Sequence, residues 1–448
     1  MFVLPSALQR IFAILSDYET YLIGGCVRDL LLDIPPKDYD FTTAATPTQM
    51  LEIFAHHGIR TLEIGRAFGT IGVLIDSQVY EITTFRSEGD YRDSRRPSSV
   101  SFASTLLEDT KRRDFTINAL AYHPAYGLID YHGGREDLRA GILRAIGAPK
   151  ERFGEDALRI LRGVGFVSRF GLRVEEGTCA AMRECAPLLS RISGERITSE
   201  LEKILLGRFW ARALGEFGGI LEEVLGRELD LSFCASDFIS HGRPFAPRLD
   251  SSSSHSDSSR PAAPHSAPTS STPPLRVESY FTQSTPRDSL DLPPSFCLRL
   301  AYLLRPATPS ATSHPSALPA SLVLSRAQRA ELETYLHYLT LPLPRSEREI
   351  CHMLRTSPKA AAPAPDYLAT FLAPYPSARA LLDSTLKRAL PYRTRDLALS
   401  GADLLGFPPA LRGEMLTRLL ILVIDGELEN SPHALRDYLK ATYGEMDS

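Results

Sequence analysis

The sequence predicts an α+β head, a small mixed sheet flanked by helices, followed by an all-α remainder. Over residues 1 to about 150, short runs rich in Val, Ile, Thr, Tyr and Phe alternate with segments of helical spacing. From about Gly154 onward, apolar residues recur three and four apart. Residues from about 243 to 292 are dominated by Ser and Pro and hold too little apolar surface to offset the entropy of ordering, which predicts a disordered insertion. At 448 residues the chain exceeds one ordinary core, so several domains are expected.

The opening "MFVLPSALQRIFAILSDYET" is apolar, but it lacks a basic start, carries Arg10 in its middle and has no small-residue cleavage site. It reads as an amphipathic first helix and not as a signal peptide. "TYLIGG" (Thr20 to Gly25), "DYDFTT" (Asp38 to Thr43), "TIGVLI" (Thr70 to Ile75) and "VYEITTF" (Val79 to Phe85) read as strands bounded by turn residues. "PTQMLEIFAHHG" reads as a helix with Thr46 as N-cap, Pro47 in the first turn and Gly58 as the stop. "EDALRILRGVGFVSRF", "EGTCAAMRECAPLLSRI" and "SGERITSELEKILLG" follow as helices. A second Pro/Ser/Ala stretch, Arg305 to Ser321, reads as a loop, and helical spacing resumes from Ser325 to Leu339 and through Gly413 to Leu428.

Composition narrows the function classes. Hydrophobic content of 43% and charged content of 23%, with no run of about 18 apolar residues, argue against a membrane span. Six scattered cysteines without a C-x-x-C pair favour a reducing compartment, the cytoplasm by default, over a disulfide scaffold or zinc site. The net charge of −4 gives no global basic signature, so a nucleic-acid partner must meet a local patch. "RDSRRP" (Arg92 to Pro97), "KRRD" (Lys111 to Asp114) and the arginines of "EDALRILR" (Glu155 to Arg162) are such patches or else solvated faces.

Chemistry concentrates in "YLIGGCVRDLLLDIPPKDYDF" (Tyr21 to Phe41). Gly24 and Gly25 join a strand to a helix, where they allow a tight turn and either a close backbone approach to phosphate or steric relief alone. Asp38 and Asp40 are two apart. On a strand they share a face and can converge on a hard cation, and the alternative is a pair of exposed turn residues. Aspartates form strands poorly and repel each other, a cost that a metal offsets. Glu81 on the "VYEITTF" strand supplies a third carboxylate or an ordinary solvent-facing side chain. Such a set can hold two Mg²⁺ ions, and the chemistry it suggests is nucleotidyl transfer.

With these residues in view, the sequence resembles the class II tRNA nucleotidyltransferase and bacterial poly(A) polymerase family, within the polymerase-β-like superfamily, and its CCA-adding branch more than the other. The likeness runs through most of residues 20 to 207 and more loosely beyond. "GGCVRD" with "KDYDF" is similar to the family's first motif, which implies that Gly24, Gly25 and Arg28 contact the nucleotide triphosphate, that Asp38 and Asp40 hold Mg²⁺, and that Glu81 completes the catalytic set. "TTFRSEGDYRDSRRPSSVSF" (Thr83 to Phe102) resembles the flexible loop of the family. "RRDFTINALAY" (Arg112 to Tyr122) resembles a nucleotide-binding motif in which Arg113 and Asp114 contact the sugar, with Asn118 alongside.

"EDALRILR" resembles the amino-acid template, with Asp156 and Arg159 reading the base edge and Arg162 extending the same face. On one helix, residues three apart are neighbours. A carboxylate accepts from an exocyclic amine and a guanidinium donates to ring nitrogen or carbonyl, so one fixed pair can accept CTP and ATP and reject UTP and GTP. The alternative is an intrahelical salt bridge. In "SGERITSELEKILLG", Glu195 and Arg196 are expected to brace the neck helices.

Three departures stand out: Gly165 where many relatives carry a further arginine, Arg305 and Pro306 where some carry a second, phosphohydrolase metal site, and the Ser/Pro insertion. The resemblance implies a catalytic head at 1–150, a helical neck at 151–225, a helical body at 226–340 and a tRNA-binding tail at 341–448. It also implies addition of C, C and A to the tRNA 3′ end, with the tail on the tRNA elbow and no membrane or DNA partner. A poly(A) polymerase or an A-adding enzyme is the alternative. The loop "EGDYRDSRRP" argues against a CC-only enzyme, and the complete acidic set argues against a non-catalytic RNA-binding scaffold.

Overall fold

The computed structural model describes residues 2–87, 102–231, 292–305, 318–358 and 364–444. They divide into two compact units, one drawn mainly from Met1–Glu228 and the other mainly from Val323–Ser448. In the first unit the strand-like runs pair into one sheet of seven strands: β1 (Thr20–Ile23), β2 (Asp40–Thr43), β3 (Thr61–Leu62), β4 (Thr70–Ile75), β5 (Gln78–Thr84), β6 (Ala121–His123) and β7 (Gly127–Ile129). Their order is β3-β4-β5-β2-β1-β6-β7. Only β2 and β5 run parallel, so the sheet is mixed as the sequence predicts. A separate parallel pair joins β8 (Ile142–Leu143) to β9 (Arg173–Val174).

Helices α1 (Ser6–Ile14), α2 (Gly25–Leu31), α3 (Pro47–His56), α4 (Leu106–Lys111) and α5 (Gly134–Ala140) belong to this sheet region. The first is amphipathic as expected, burying Ala7, Leu8, Ile11 and Phe12. The third begins as its sequence predicts, in a capping box where Thr46 Oγ1 accepts the Gln49 N–H and Gln49 Oε1 accepts the Thr46 N–H. It stops at Gly58, whose φ of 66° suits a residue without Cβ. Beyond the sheet come α6 (Pro149–Glu155), α7 (Leu158–Phe170), α8 (Glu176–Glu184), α9 (Gly194–Leu206) and α10 (Trp210–Leu225), with α9 and α10 packed on α7.

The structure corrects two boundaries. Pairing in β2 starts at Asp40, opposite Glu81, and Asp38 lies in the segment before the strand, which comes off Pro35 and Pro36. Asp38 and Asp40 therefore do not share a strand face. The helix expected to run unbroken from Glu155 to Phe170 is interrupted at Asp156, whose backbone is extended (φ −146°, ψ 101°). The cause is local: Asp156 Oδ1 accepts the N–H of Leu158 at 3.1 Å, and such a short polar side chain competes with the helical ladder.

The second unit is helical: α11 (Phe296–Leu304), α12 (Arg326–Leu339), α13 (Glu347–Thr356), α14 (Ala364–Phe371), α15 (Pro376–Lys387), α16 (Pro409–Ile424) and α17 (Pro432–Tyr443). Ser325 caps α12 in a box with Gln328. Leu404, Phe407, Met415, Leu419, Leu435 and Leu439 pack into one core there, so the segment Asp396 to Asn430 is built on a buried apolar centre. Among the described residues no helix is long and apolar enough to cross a membrane. The loop Glu88 to Pro97, the Ser/Pro insertion up to residue 291 and most of Arg305 to Ser321 lie outside the described residues.

Candidate nucleotide site

The sheet brings two of the three carboxylates into register. Asp40, first residue of β2, pairs with Glu81 of the parallel neighbour β5, so both side chains leave the same face. Surrounding protein pushes the Asp40 carboxyl up to about 6, Asp38 adds to the rise, Arg113 opposes it, and Glu81 contributes a smaller rise. The Asp40 side chain is nonetheless exposed, as are Asp38 and Glu81. Asp38 thus joins the cluster from the preceding segment. No group of three His, Cys, Asp or Glu among the described residues is drawn in tightly enough to enclose an ion alone. Two exposed carboxylates close to a third do fit Mg²⁺, which is commonly held by one or two carboxylates together with substrate phosphates and waters.

Arg113 lies between this cluster and the glycine turn. Gly24 has φ 80°, and its missing Cβ would sit 3.0 Å from Arg113 Nη1, so glycine serves both the turn and the close approach. Arg113 Nη2 donates to Asp109 Oδ2 at 3.3 Å, and Nη1 donates to the Asn118 carbonyl at 3.5 Å. Asp109 is fully buried. It also accepts from Arg112 (Nε 3.1 Å, Nη2 2.6 Å), from the Arg86 N–H after β5 and from Thr42 Oγ1 on β2. Burial disfavours that charge, but Arg113 and Arg112 outweigh it and hold the carboxyl below its usual range.

A chain of buried polar side chains ties the sheet region to α7. Arg28, 4% exposed, donates to Asp29 Oδ1 through Nε (2.9 Å) and Nη2 (2.7 Å), and to Asn118 Oδ1 through Nη1 (2.6 Å). Asn118 Nδ2 donates to Asp114 Oδ1 at 3.0 Å, and Arg162 Nε donates to Asp114 Oδ2 at 2.7 Å. Asp29 Oδ2 accepts from Arg169 Nη2 at 3.0 Å. Arg162 and Arg169 are two turns apart on α7, and on the same helix the ring centres of Phe166 and Phe170 lie 5.2 and 4.9 Å from the Arg28 guanidinium carbon. The circuit therefore closes on one face of α7. Asp114, though buried, stays below its usual range because Arg162 and the Asn118 and Phe115 donors outweigh desolvation.

The template residues are arranged differently from the expectation. Asp156 sits at the break before α7, so it and Arg159 are not neighbours on one helix face, and they form no salt bridge with each other. Asp156 Oδ2 accepts from Arg196 Nη2 at 2.7 Å. Arg159 donates through Nη1 to Glu155 Oε2 (2.8 Å) and the Arg152 carbonyl (3.0 Å), and through Nη2 to the Arg112 carbonyl (3.0 Å). Both side chains are half-buried and fixed from α9 and α6 respectively. Gly165 faces α9, with Ile204 Cγ1 3.9 Å from the place a Cβ would take.

The fold thus gathers Gly24, Arg113, Asp38, Asp40 and Glu81 at one place and joins Arg28, Asn118, Asp114 and Arg162 in one network. Sequence reasoning passed over Asp109, Asp29 and Arg169. Asp109 was legible, since Arg112 and Arg113 stand three and four residues after it around α4. Nothing local linked Asp29 to Arg169, which is 140 residues away.

A small mixed sheet with acidic residues at the start of its parallel pair, followed by helices, is the arrangement expected from the sequence for the head. Residues 20–144 match the poly A polymerase head domain, and residues 171–217 match the probable RNA and SrmB-binding site of polymerase A. Over these two regions the chain is similar to that head domain and RNA-binding segment. It is 47% identical to the CCA-adding enzyme of Streptococcus gordonii over 216 residues, 47% of this chain and 53% of that protein. The Geobacillus stearothermophilus CCA-adding enzyme is 45% identical over 224 residues, 49% of this chain and 54% of its own. The matches span about half the length of these curated relatives. Among solved structures, the Bacillus stearothermophilus CCA-adding enzyme in complex with CTP superposes with a TM-score of 0.64 at 27% identity, covering 98% of each chain. The Thermotoga maritima CCA-adding enzyme complexed with tRNA shares the fold, with a TM-score of 0.61, 20% identity and coverage of 98% and 96%.

Proposed function

We propose that this protein is a CCA-adding tRNA nucleotidyltransferase, transferring C, C and A from CTP and ATP to the tRNA 3′ end without a nucleic-acid template. The register pairing of Asp40 with Glu81, beside Asp38 and Arg113, carries the reading. The identity with CCA-adding enzymes across the catalytic region supports it. In the reaction the terminal hydroxyl oxygen of the tRNA bonds to the α-phosphorus, and the bond from that phosphorus to the bridging oxygen breaks, releasing pyrophosphate.

Asp38 and Asp40 are the residues that would hold Mg²⁺, and such an ion supplies activation of the attacking hydroxyl and neutralisation of charge on the phosphates. Arg113, held by Asp109, presents a fixed positive charge beside the carboxylates and the glycine turn. Gly24 and Gly25 leave room for the triphosphate, and Glu81 completes the acidic set. Arg28 is committed to Asp29 and Asn118, so its part is to seat the turn below the phosphates. Asp156 and Arg159, fixed by Arg196 and Glu155, present a carboxylate and a guanidinium suited to the base edges of C and A. In this reading 1–150 is the catalytic head, 151–225 the neck, 226–340 the body and 341–448 a tail that holds the tRNA elbow by backbone and shape, in the cytoplasm.

Incorporation of each nucleotide into three tRNA substrates, lacking CCA, CA or A, tests the reading. The expected products are the complete CCA ends and no others. Long A tracts on unrelated RNA would favour poly(A) polymerase, extension of the A-lacking substrate alone would favour an A-adding enzyme, and no incorporation anywhere would sink the enzymatic reading. Asp156→Ala is expected to raise UTP use relative to CTP by about tenfold or more, one lost hydrogen-bonding group being of that order. Binding of tRNA should change by less than about twofold, since the substitution leaves the tRNA-holding surface untouched. Unchanged nucleotide selectivity would count against the template role.

A further inference from the structure

Asp109 divides its two oxygens between two arginines with different duties. The residue is 0% exposed. Oδ1 takes three donors: Arg112 Nη2 at 2.6 Å, Arg112 Nε at 3.1 Å and the Arg86 N–H at 3.1 Å. Oδ2 takes two longer contacts, from Arg113 Nη2 at 3.3 Å and Thr42 Oγ1 at 3.5 Å. Thr42 stands two residues after Asp40 on β2, so this oxygen ties Arg113 to the strand that carries the acidic cluster.

The two arms lead to different parts of the site. The Arg112 carbonyl accepts from Arg159 Nη2 at 3.0 Å, so the Oδ1 arm supports the guanidinium suited to the base edge. On the Oδ2 arm, Asp109 is the one carboxylate that Arg113 pairs with among the described residues. The Asn118 carbonyl meets Arg113 Nη1 at 3.5 Å, and Arg113 Nε is buried with no hydrogen-bond partner among those residues. The aim of the Arg113 guanidinium therefore depends on a single counter-charge, and that counter-charge is out of reach of water.

Resting on the nucleotidyltransferase reading above, we propose that Asp109 is a positioning residue that acts through Arg113 on the sugar of the bound nucleotide. Arg113 makes the sugar contact expected of its motif, and Asp109 sets the direction from which it does so. The substitution Asp109→Asn separates the two arms. Its one carbonyl oxygen satisfies the three donors on the Oδ1 side, and its amide nitrogen, a donor, then turns toward Thr42 Oγ1, which can accept, and toward Arg113, which cannot. Arg112 and Arg159 keep their places while Arg113 loses its anchor.

The experiment compares kcat/KM for CTP, 2′-deoxy-CTP and UTP on tRNA lacking CCA, using the full chain with Asp109→Asn, Arg113→Gln and the double variant. In Asp109→Asn the CTP to 2′-deoxy-CTP ratio is expected to fall by about tenfold or more, the order of one lost hydrogen-bonding contact. The CTP to UTP ratio stays within about twofold of the unaltered protein, whereas a merely structural loosening would move base and sugar choice together. The double variant matches the sugar ratio of Arg113→Gln within about threefold, because a residue that acts through Arg113 then has nothing left to act on. An unchanged sugar ratio in Asp109→Asn, a base ratio that falls as far as the sugar ratio, or a larger further fall in the double variant overturns the inference. Should Asp109→Asn be recovered unfolded by circular dichroism, the double variant, which removes both charges of the pair, is compared with Arg113→Gln alone by the same criterion. An unaltered protein that never uses CTP would sink the functional reading and this inference with it, whereas one that uses CTP and 2′-deoxy-CTP alike overturns the inference alone.

Discussion

Replacing Asp38 and Asp40 together by alanine is expected to lower nucleotide incorporation by at least about a thousandfold, the scale on which phosphoryl chemistry depends on a positioned cation. The same substitution should leave the fold intact. Both carboxylates are exposed, and neither accepts a hydrogen bond from the described residues. Asp40 has its carboxyl raised to about 6 by the surrounding protein and then by Asp38. Removing them takes away crowded like charges and leaves no buried partner behind, so the thermal midpoint should stay or rise. Incorporation within about tenfold of the unaltered protein, measured at saturating Mg²⁺, would refute the metal assignment, since that small a loss is typical of a peripheral contact.

Asp29→Ala is expected to be the opposite kind of change, costing about 3–5 kcal/mol of stability because it leaves a buried guanidinium without its counter-charge. Arg28 is 4% exposed and donates two of its three hydrogen bonds to Asp29, which also accepts from Arg169 on α7. Chemical denaturation of the full chain measures the cost. The double variant Asp29→Ala with Arg28→Met should recover part of it, since replacing both members of a buried pair by apolar groups avoids the orphaned charge. A loss below about 1 kcal/mol for Asp29→Ala would mean that water reaches Arg28 and that the circuit is an exposed pair in energetic terms.

These two outcomes separate the parts of the site that do chemistry from those that hold it. Asp38, Asp40 and Glu81 are poorly satisfied by the protein, which suits groups whose partner arrives with the substrate. Asp29, Asp109 and Asp114 are held by arginine and backbone donors, which suits groups that fix geometry. The distinction matters because all six are aspartates or glutamates within the first 114 residues, and residue type alone does not sort them.

The mixed sheet, the helical remainder, the cap at Thr46 and the acidic residues around Asp40 were legible because each is a local pattern: strand composition, helical period, capping spacing, paired acids. The helix break at Asp156 was not. The apolar period runs straight through "EDALRILR", and only the Asp156 carboxylate bonding the Leu158 N–H and Arg196 ends the run. Likewise the motif pairing Arg113 with Asp114 was visible, but the two side chains part company, Arg113 toward Gly24 and Asp114 toward Arg162.

By itself, then, the sequence determined the kinds of element, their order and the stock of acids and arginines, because propensity, period and capping act within a few residues. Only the tertiary structure decided which acid meets which arginine. Asp114 with Arg162, Asp29 with Arg169 and Asp156 with Arg196 are pairs 40 to 140 residues apart. Such partners are chosen by burial and hydrogen-bond geometry once the sheet and α7 are in contact, and no local pattern encodes that choice.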